Sequence, residues 1–351
     1  MDAATTERMA AMADGAALKA LIAPDVAAIE QAMQADVAGI VHDTAILLTD
    51  ILRYGLFNGG KRIRPLLVVL CYRLGGGKNP VNSADDAKGI YRLAIAFEYL
   101  HCATLFHDDV IDQASTRRGR PAVNVTFGET AAILAGDFLH ARSMLLVGRG
   151  GGMEALEIFC GATSAMVDGE FRQLDNVSRY NLGQEDYFAV IMGKTARLIG
   201  AACEIGALVA GAGEEARQAL RNYGLRLGCA FQIIDDLLDY QGDAAQTGKA
   251  VGNDFAEGKM TLPLIIAMSR ATEADRQRLL DMLASSEERK GGFAEAVDLI
   301  TRYDGFTLAR RQAEEMIAEA LAQLRIFSRE EVRQERMVLE ALAAYVLHRR
   351  K

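Results

Sequence analysis

Six aspartates stand in two short clusters of identical spacing. The first is Asp108-Asp109-Val110-Ile111-Asp112, preceded by His107, and the second is Asp235-Asp236-Leu237-Leu238-Asp239. On a helix, residues four apart share a face, so Asp108 pairs with Asp112 and Asp235 with Asp239. The middle aspartates lie about 100° further round the axis. Their neighbours are apolar: Leu105, Phe106, Val110 and Ile111, then Phe231, Ile233, Ile234, Leu237 and Leu238. An ordinary surface helix would scatter single acids and pair them with Lys or Arg at i+4. One such cluster also reads as a solvated helix end; two of the same spacing argue for chemistry. Carboxylates inside a bundle are tolerable when they bind hard cations through oxygen. Ligation by carboxylates alone points to Mg²⁺, with Mn²⁺ possible, rather than to zinc. A di-iron bundle needs two Glu-x-x-His motifs, and only Glu98-Tyr99-Leu100-His101 is evident.

Mg²⁺ held by a few carboxylates usually completes its shell with phosphate oxygens. Basic residues near both clusters supply the rest of such a site. Gly59-Gly60-Lys61-Arg62-Ile63-Arg64-Pro65 sets Lys61 and Arg64 three apart at a helix start, where free backbone N–H groups favour anions. Arg117-Arg118-Gly119 follows the first cluster, Lys194-Thr195 opens an apolar segment, and Lys249 and Lys259 follow the second cluster. A dibasic pair alone reads as a solvated surface. Basic groups beside both acidic clusters, in a chain of net charge −8, read as sites for two diphosphates.

The elements that position these groups are helices. The chain has 351 residues, half of them hydrophobic, with 5 prolines and no tryptophan, enough for one large core. Alanine, leucine and glutamate dominate long stretches, which favours helix. Many of the 33 glycines sit beside alanine in apolar runs, where a missing side chain lets helices pack closely. Breaks fall at Phe57–Lys61, Gly75–Ser83, Thr116–Asn124, Gly148–Gly152, Ser178–Gln184, Gly211–Glu214 and Gln241–Lys259. Long periodic segments with short connections indicate antiparallel neighbours. The fold class expected is all-α: a single-domain antiparallel bundle of roughly a dozen helices around a central cavity. Its bounds are residues 25–351, after a flexible N-terminal segment 1–24. An acidic pI near 5.3 excludes a nucleic-acid footprint. Cys71, Cys102, Cys160, Cys203 and Cys229 lie singly in apolar stretches, as reduced thiols in a cytoplasmic protein would. Asp2, Glu7 and Asp14 rule out a signal or transit peptide at the N-terminus. The nearest approach to a membrane-spanning run, Leu198 to Gly213, is short and interrupted by Glu204.

Taken together, Gly-Gly-Lys-Arg-Ile-Arg-Pro, His-Asp-Asp-x-x-Asp, Arg-Arg-Gly, Gly-Lys-Thr, Phe-Gln-x-x-Asp-Asp-x-x-Asp and Gly-Lys-Met-Thr-Leu-Pro-Leu occur in one order. In that order they resemble the trans-isoprenyl diphosphate synthases, or polyprenyl synthetases, over nearly the whole chain after about residue 25. The resemblance implies ionisation, condensation and elimination between an allylic diphosphate (farnesyl or geranylgeranyl) and isopentenyl diphosphate. Asp108, Asp112 and Asp235, with Asp109 and Asp239, would hold Mg²⁺ on the allylic diphosphate. Arg117, Lys194 and Lys259 would neutralise that leaving group, with Lys249 assisting. Lys61, Arg64, His101 and Arg118 resemble the isopentenyl diphosphate site, and Thr195 and Gln232 match positions whose oxygens stabilise the cation. A homodimer is the family expectation. A terpene cyclase or a head-to-head synthase would lack the Gly-Gly-Lys-x-x-Arg segment, and a regulatory subunit would have degraded aspartate motifs.

His101 lies seven residues before Asp108, two turns away on nearly the same face; His107 reads as structural. Product length turns on the residues beneath the first cluster. Short-chain relatives typically place an aromatic residue five before the first Asp, where this chain has Ala103; Ala96, two turns deeper, is also small. An open tunnel is expected, and with it a long-chain product, octaprenyl to decaprenyl, for a quinone tail. Leu100 and Phe97 are candidates for a deeper floor, and the alternative is a geranylgeranyl or farnesyl product.

Overall fold

Alanine- and leucine-rich runs wind into helices, and their small residues decide how closely these approach. A computed structural model describes residues 15–78, 84–176, 179–180, 183–242 and 251–349. Lys249 therefore lies outside the described residues. The chain begins with α1 (Gly15–Ile40), α2 (Ile46–Leu56) and α3 (Ile63–Leu74). The first aspartate cluster closes α4 (Ala84–Ile111). A hairpin of two-residue strands, Thr116–Arg117 with Arg120–Pro121, and the short α5 (Val123–Phe127) lead into α6 (Glu129–Asn176). Next come α7 (Gln184–Ile191), one π-helical turn (Met192–Ala196) and α8 (Arg197–Val209). The second cluster ends α9 (Glu214–Gln241). The remainder is α10 (Asn253–Ala256), α11 (Leu262–Arg270), α12 (Glu273–Leu283), α13 (Ser286–Arg302), α14 (Gly305–Gln323) and α15 (Arg333–His348). The all-α expectation holds: the hairpin is the only sheet among the described residues.

One apolar cluster runs through the bundle, from Ile29 and Leu66 through Phe97 and Phe159 to Ile233 and Leu342. α4 packs on α6, and α9 lies between α8 and α14. Glycines set the closest approaches: a Cβ on Gly224 would sit 2.7 Å from the Ile199 carbonyl of α8. Such a contact is below van der Waals distance, so α8 and α9 pack backbone against backbone.

Of the segment read as flexible, residues 15–24 form the first turns of α1, with Leu18 and Ile22 buried. Pro24 sits inside that helix and removes one backbone donor. The break expected at Gly148–Gly152 is a kink rather than a loop. Helix α6 continues past it, with Gly152 at φ 76° and ψ −170°, a backbone conformation open essentially to glycine.

By length and composition alone, α6 is the one helix among the described residues that could cross a membrane; 39% of its most apolar window is buried inside the bundle. Arg142, in its first half, donates from Nε to buried Asp36 of α1 at 3.1 Å. Ile133 and Leu134 recur as Met144 and Leu145 three turns later, all exposed on one face.

Candidate active site

The last turns of α4 present the first cluster. The helical pattern continues past Ile111, since the Asp112 N–H donates to the Asp108 carbonyl at 2.8 Å, and both carboxylates share a face. Burial, then Glu170, pushes the Asp108 carboxyl up to about 6. Burial raises Asp112 as well, while Lys259 opposes that shift. Asp109 is placed differently. It is 1% exposed and accepts from Arg117 Nε at 2.9 Å and again from Nη2. Its carboxylate therefore orients Arg117 rather than standing open to a cation. His107 packs over Gly136, with Nε2 3.2 Å from the Ile133 carbonyl, as a structural residue would.

The segment between α2 and α3 forms the cationic side. Arg62 adopts φ +50° at the start of α3. Its buried guanidinium donates to Glu30 on α1 (2.5 Å), to Glu98 on α4 (2.6 Å) and to the Leu56 carbonyl (2.7 Å). This clamp fixes the residues on either side. Lys61 reaches the Tyr345 hydroxyl of α15 at 2.9 Å, and the Arg64 Nε is buried without a hydrogen-bond partner. Arg118, at φ +52°, donates to the Gly59 carbonyl. Burial, and then Arg64, Arg118, Arg117 and Arg62, hold His101 well below its ordinary pKa. A neutral imidazole among four guanidiniums marks a place where an anion would be welcome. Near it, a narrow cleft with room for about 20 Å³ is lined by Tyr54, Asn58, Cys102, Asp109, Arg117 and Arg118.

The π-helical turn aims the third group. An added Cβ on Gly169 of α6 would lie 2.6 Å from the Lys194 N, and one on Gly193 would lie 2.7 Å from the Ala165 carbonyl. With both positions bare, the turn lies against α6, and such bulges recur at functional sites. Lys194 then meets Glu170 at 2.7 Å and Gln173 at 3.3 Å. Thr195 donates to Gln232 Oε1 at 3.3 Å.

At the end of α9, the carboxylates of the second cluster part ways. Asp235 accepts from Arg349, whose guanidinium also lies 4.0 Å from the Phe231 ring centroid. Asp239 accepts from the Asp254 N–H at 2.9 Å, and burial, then Asp254, raises its pKa. Asp236 points inward, 5% exposed, and burial, then Asp254, pushes it up to about 7. Lys259 pairs with Glu257 at 2.6 Å and Asp254 at 3.2 Å. Burial works against its charge, but these acids more than offset that and raise its pKa. Ala103 and Ala96 are 2% and 0% exposed on the interior face of α4.

The clusters act on one another. Lys194 opposes the upward shifts of Asp108 and Asp112, Lys259 opposes that of Asp112 from beyond the second cluster, and Asp235 acts on Arg64. Yet among the described residues no three His, Cys, Asp or Glu side chains form a ready-made metal cage. The donors nevertheless fit Mg²⁺ or Mn²⁺: they are oxygen-only, half-buried and mutually repelling, and need other oxygens to complete a shell. Reasoning from sequence missed Glu170, Tyr187, Asp254, Tyr345 and Arg349, and gave Asp236 a place in its cluster but no role of its own. The signals available were the Gly169-Glu170 pair at a close helix crossing, and the basic Arg349.

An all-helical bundle that gathers two oxygen-only acidic clusters and two cationic groups into one site defines a transferase class acting on diphosphate esters. Residues 46–300 match the polyprenyl synthetase family. The octaprenyl diphosphate synthase of Escherichia coli is 36% identical over 283 residues, covering 80% of this chain and 84% of that protein. A short chain isoprenyl diphosphate synthase of Methanothermobacter thermautotrophicus is 38% identical over 295 residues, 83% of this chain and 87% of that one. The crystal structure of the polyprenyl synthase of Caulobacter crescentus, complexed with calcium and isoprenyl diphosphate, superposes with TM-score 0.83 at 35% identity, covering 95% and 97% of the two chains. This chain belongs to the polyprenyl synthetase family, and it is a trans-prenyltransferase.

Proposed function

We propose that the chain condenses isopentenyl diphosphate with a farnesyl or geranylgeranyl primer to make an octaprenyl to decaprenyl diphosphate for a quinone side chain, with Mg²⁺ as cofactor. The observation that carries this reading is the division of cations into two groups, one of them beside both acidic helix ends. Lys61, Arg64, Arg118 and neutral His101 form one anion site. Arg117, Lys194 and Lys259 stand beside Asp108, Asp112, Asp235 and Asp239 as the other. When bound, Mg²⁺ supplies charge that stabilises departing pyrophosphate. The chain's own groups do the rest. Arg117, Lys194 and Lys259 hold the allylic diphosphate, Thr195 and Gln232 turn oxygens toward the allylic carbon, and Lys61, Arg64 and Arg118 hold the diphosphate of the attacking isopentenyl group. The departing pyrophosphate is the proton acceptor, so no protein base is needed.

The test is a product assay with Mg²⁺, labelled isopentenyl diphosphate and farnesyl diphosphate, with chain length read after dephosphorylation. A ladder ending between octaprenyl and decaprenyl is expected. A stop at geranylgeranyl, or at farnesyl when a shorter allylic primer is supplied, keeps the chemistry and removes the long-chain reading; no incorporation with either primer removes both. Ala103→Phe should shorten the product by at least two isoprene units without loss of stability. If no tunnel runs past Ala103, the same ring overpacks a closed core at about 1–3 kcal/mol and product length stays unchanged.

Activity should also depend on pH through Asp108. Its carboxyl is raised to about 6, so protons compete with the cation below that pH. At limiting Mg²⁺ the rate should fall as pH drops through about 6, and excess Mg²⁺ should move that limb lower. A limb that ignores Mg²⁺ would assign it to another group.

A second copy of the chain suits the exposed apolar face of α6, where Leu134 is 62% exposed. Leu134→Glu should lower the sedimentation coefficient from that of a dimer to that of a monomer. A wild-type monomer would end this reading. Free cysteines throughout the described residues accord with a cytoplasmic location.

A further inference from the structure

The two aspartate clusters look equivalent in sequence, but the middle member of the second is built into the protein by other partners than the middle member of the first. Asp236 is 5% exposed. The Tyr187 hydroxyl donates to its Oδ2 at 2.6 Å, and Gln232 Nε2 donates to its Oδ1 at 3.0 Å. The other end of the same amide, Gln232 Oε1, accepts from Thr195 Oγ1 at 3.3 Å. Three elements therefore meet in one chain of hydrogen bonds: α7 gives Tyr187, the π-helical turn gives Thr195, and α9 gives Asp236 and Gln232. The nitrogen of the Gln232 amide faces the Asp236 carboxyl, and its oxygen faces Thr195. The Thr195 proton is used on that oxygen, and among the described residues no donor reaches the hydroxyl's lone pairs. The two oxygens, each with partial negative charge, lie 3.3 Å apart. Flipping the amide would put its NH₂ in place of its oxygen, the wrong sign for a developing carbocation.

We propose that Asp236 and Tyr187 are positioning residues that lock the Gln232 amide, and through it Thr195, with their oxygens toward the reacting allylic carbon. This inference rests on the prenyl-transfer reading above and deepens it. It assigns Asp236 a role distinct from its neighbours Asp235 and Asp239, the candidate cation ligands. Pre-organised dipoles aimed at developing charge carry large rate effects because they need no reorganisation during reaction.

The test compares Asp236→Asn and Tyr187→Phe with Asp235→Asn in steady-state extension of farnesyl diphosphate, across a Mg²⁺ titration. Asp236→Asn keeps the shape but adds a donor that can turn the Gln232 amide, and a drop in kcat on the order of 100-fold is expected. Tyr187→Phe removes one donor to the carboxylate and should lower kcat about 10-fold. In both, the KM values and the Mg²⁺ concentration for half-maximal rate should stay as in wild type. Asp235→Asn should raise that Mg²⁺ requirement. Thermal unfolding checks that each variant is folded, and the near-isosteric Tyr187→Phe keeps the test available should Asp236→Asn disturb the core. Two results overturn the proposal: wild-type kcat in both variants, or an Asp236→Asn defect that saturating Mg²⁺ repairs, which would make Asp236 a ligand. Wild-type protein that fails to extend the primer overturns the prenyl-transfer reading as well; active wild type with unimpaired variants overturns only this one.

Discussion

Asp108→Ala should cut chain extension by on the order of 10³-fold or more while the protein remains folded. The carboxylate shares a face with Asp112, stands within the field of Lys194 and Glu170, and has no role in the apolar core. Stability should move in the opposite direction from activity. In the folded chain the carboxyl is raised to about 6 from its ordinary 3.8, so at neutral pH the ionised form opposes folding. Asp108→Asn, which keeps the volume and removes the charge, should therefore stabilise metal-free protein by on the order of 1–3 kcal/mol at pH 7. That gain is full above pH 6, shrinks as pH falls toward 4, and is absent below 4, where both states are protonated. Denaturant unfolding in a metal chelator measures it. A variant that retains turnover with Mg²⁺ would remove Asp108 from the site.

Arg62→Met should destabilise the fold by about 3–5 kcal/mol, the usual cost of breaking a buried ion pair from one side. The guanidinium has no exposed surface, and Glu98 is nearly as buried. Without Arg62, Glu98 keeps its charge with no partner or takes up a proton. The double variant Arg62→Met/Glu98→Gln should recover a large part of the loss, since it removes both charges together. A kinetic effect should accompany the structural one, because the clamp fixes Lys61 and Arg64: KM for isopentenyl diphosphate should rise more than KM for the allylic primer. Lys61→Ala offers the contrast. Lys61 is exposed at Tyr345, so its loss should leave stability nearly unchanged and raise only the isopentenyl KM. Equal stability of Arg62→Met and wild type would show that the clamp does not hold this segment.

The parts of the site that depend on helical period were legible in the sequence. Asp108 with Asp112 and Asp235 with Asp239 share faces because residues four apart must do so. What period cannot supply is the partner of the residue that falls off that face. Asp109 and Asp236 hold the same place in their motifs, yet one meets Arg117 from a neighbouring hairpin and the other meets Tyr187 from another helix. Arg62 was legible as one basic residue in a run of three; its left-handed backbone turns it inward while Lys61 faces out. Arg349 lies 114 residues from Asp235, and no local pattern announces that contact. The π-helical turn was hidden for a related reason. Its backbone departs from α-geometry where Gly193 lies against α6, and composition there still reads as an apolar helix.

The kink at Gly152 gives α6 a mechanical character that its length disguises. An unbroken helix of 48 residues would be a beam roughly 70 Å long, carrying strain from Leu134 at one end to Glu170 and Gly169 at the other. Gly150, Gly151 and Gly152 divide it into two shorter beams joined by a joint with no side chains to stiffen it. The exposed apolar half leans on His107, next to Asp108, through Gly136, and the other half lies against Lys194 through Gly169. One helix thus serves both acidic-site neighbours along two different directions, set by the backbone at Gly152.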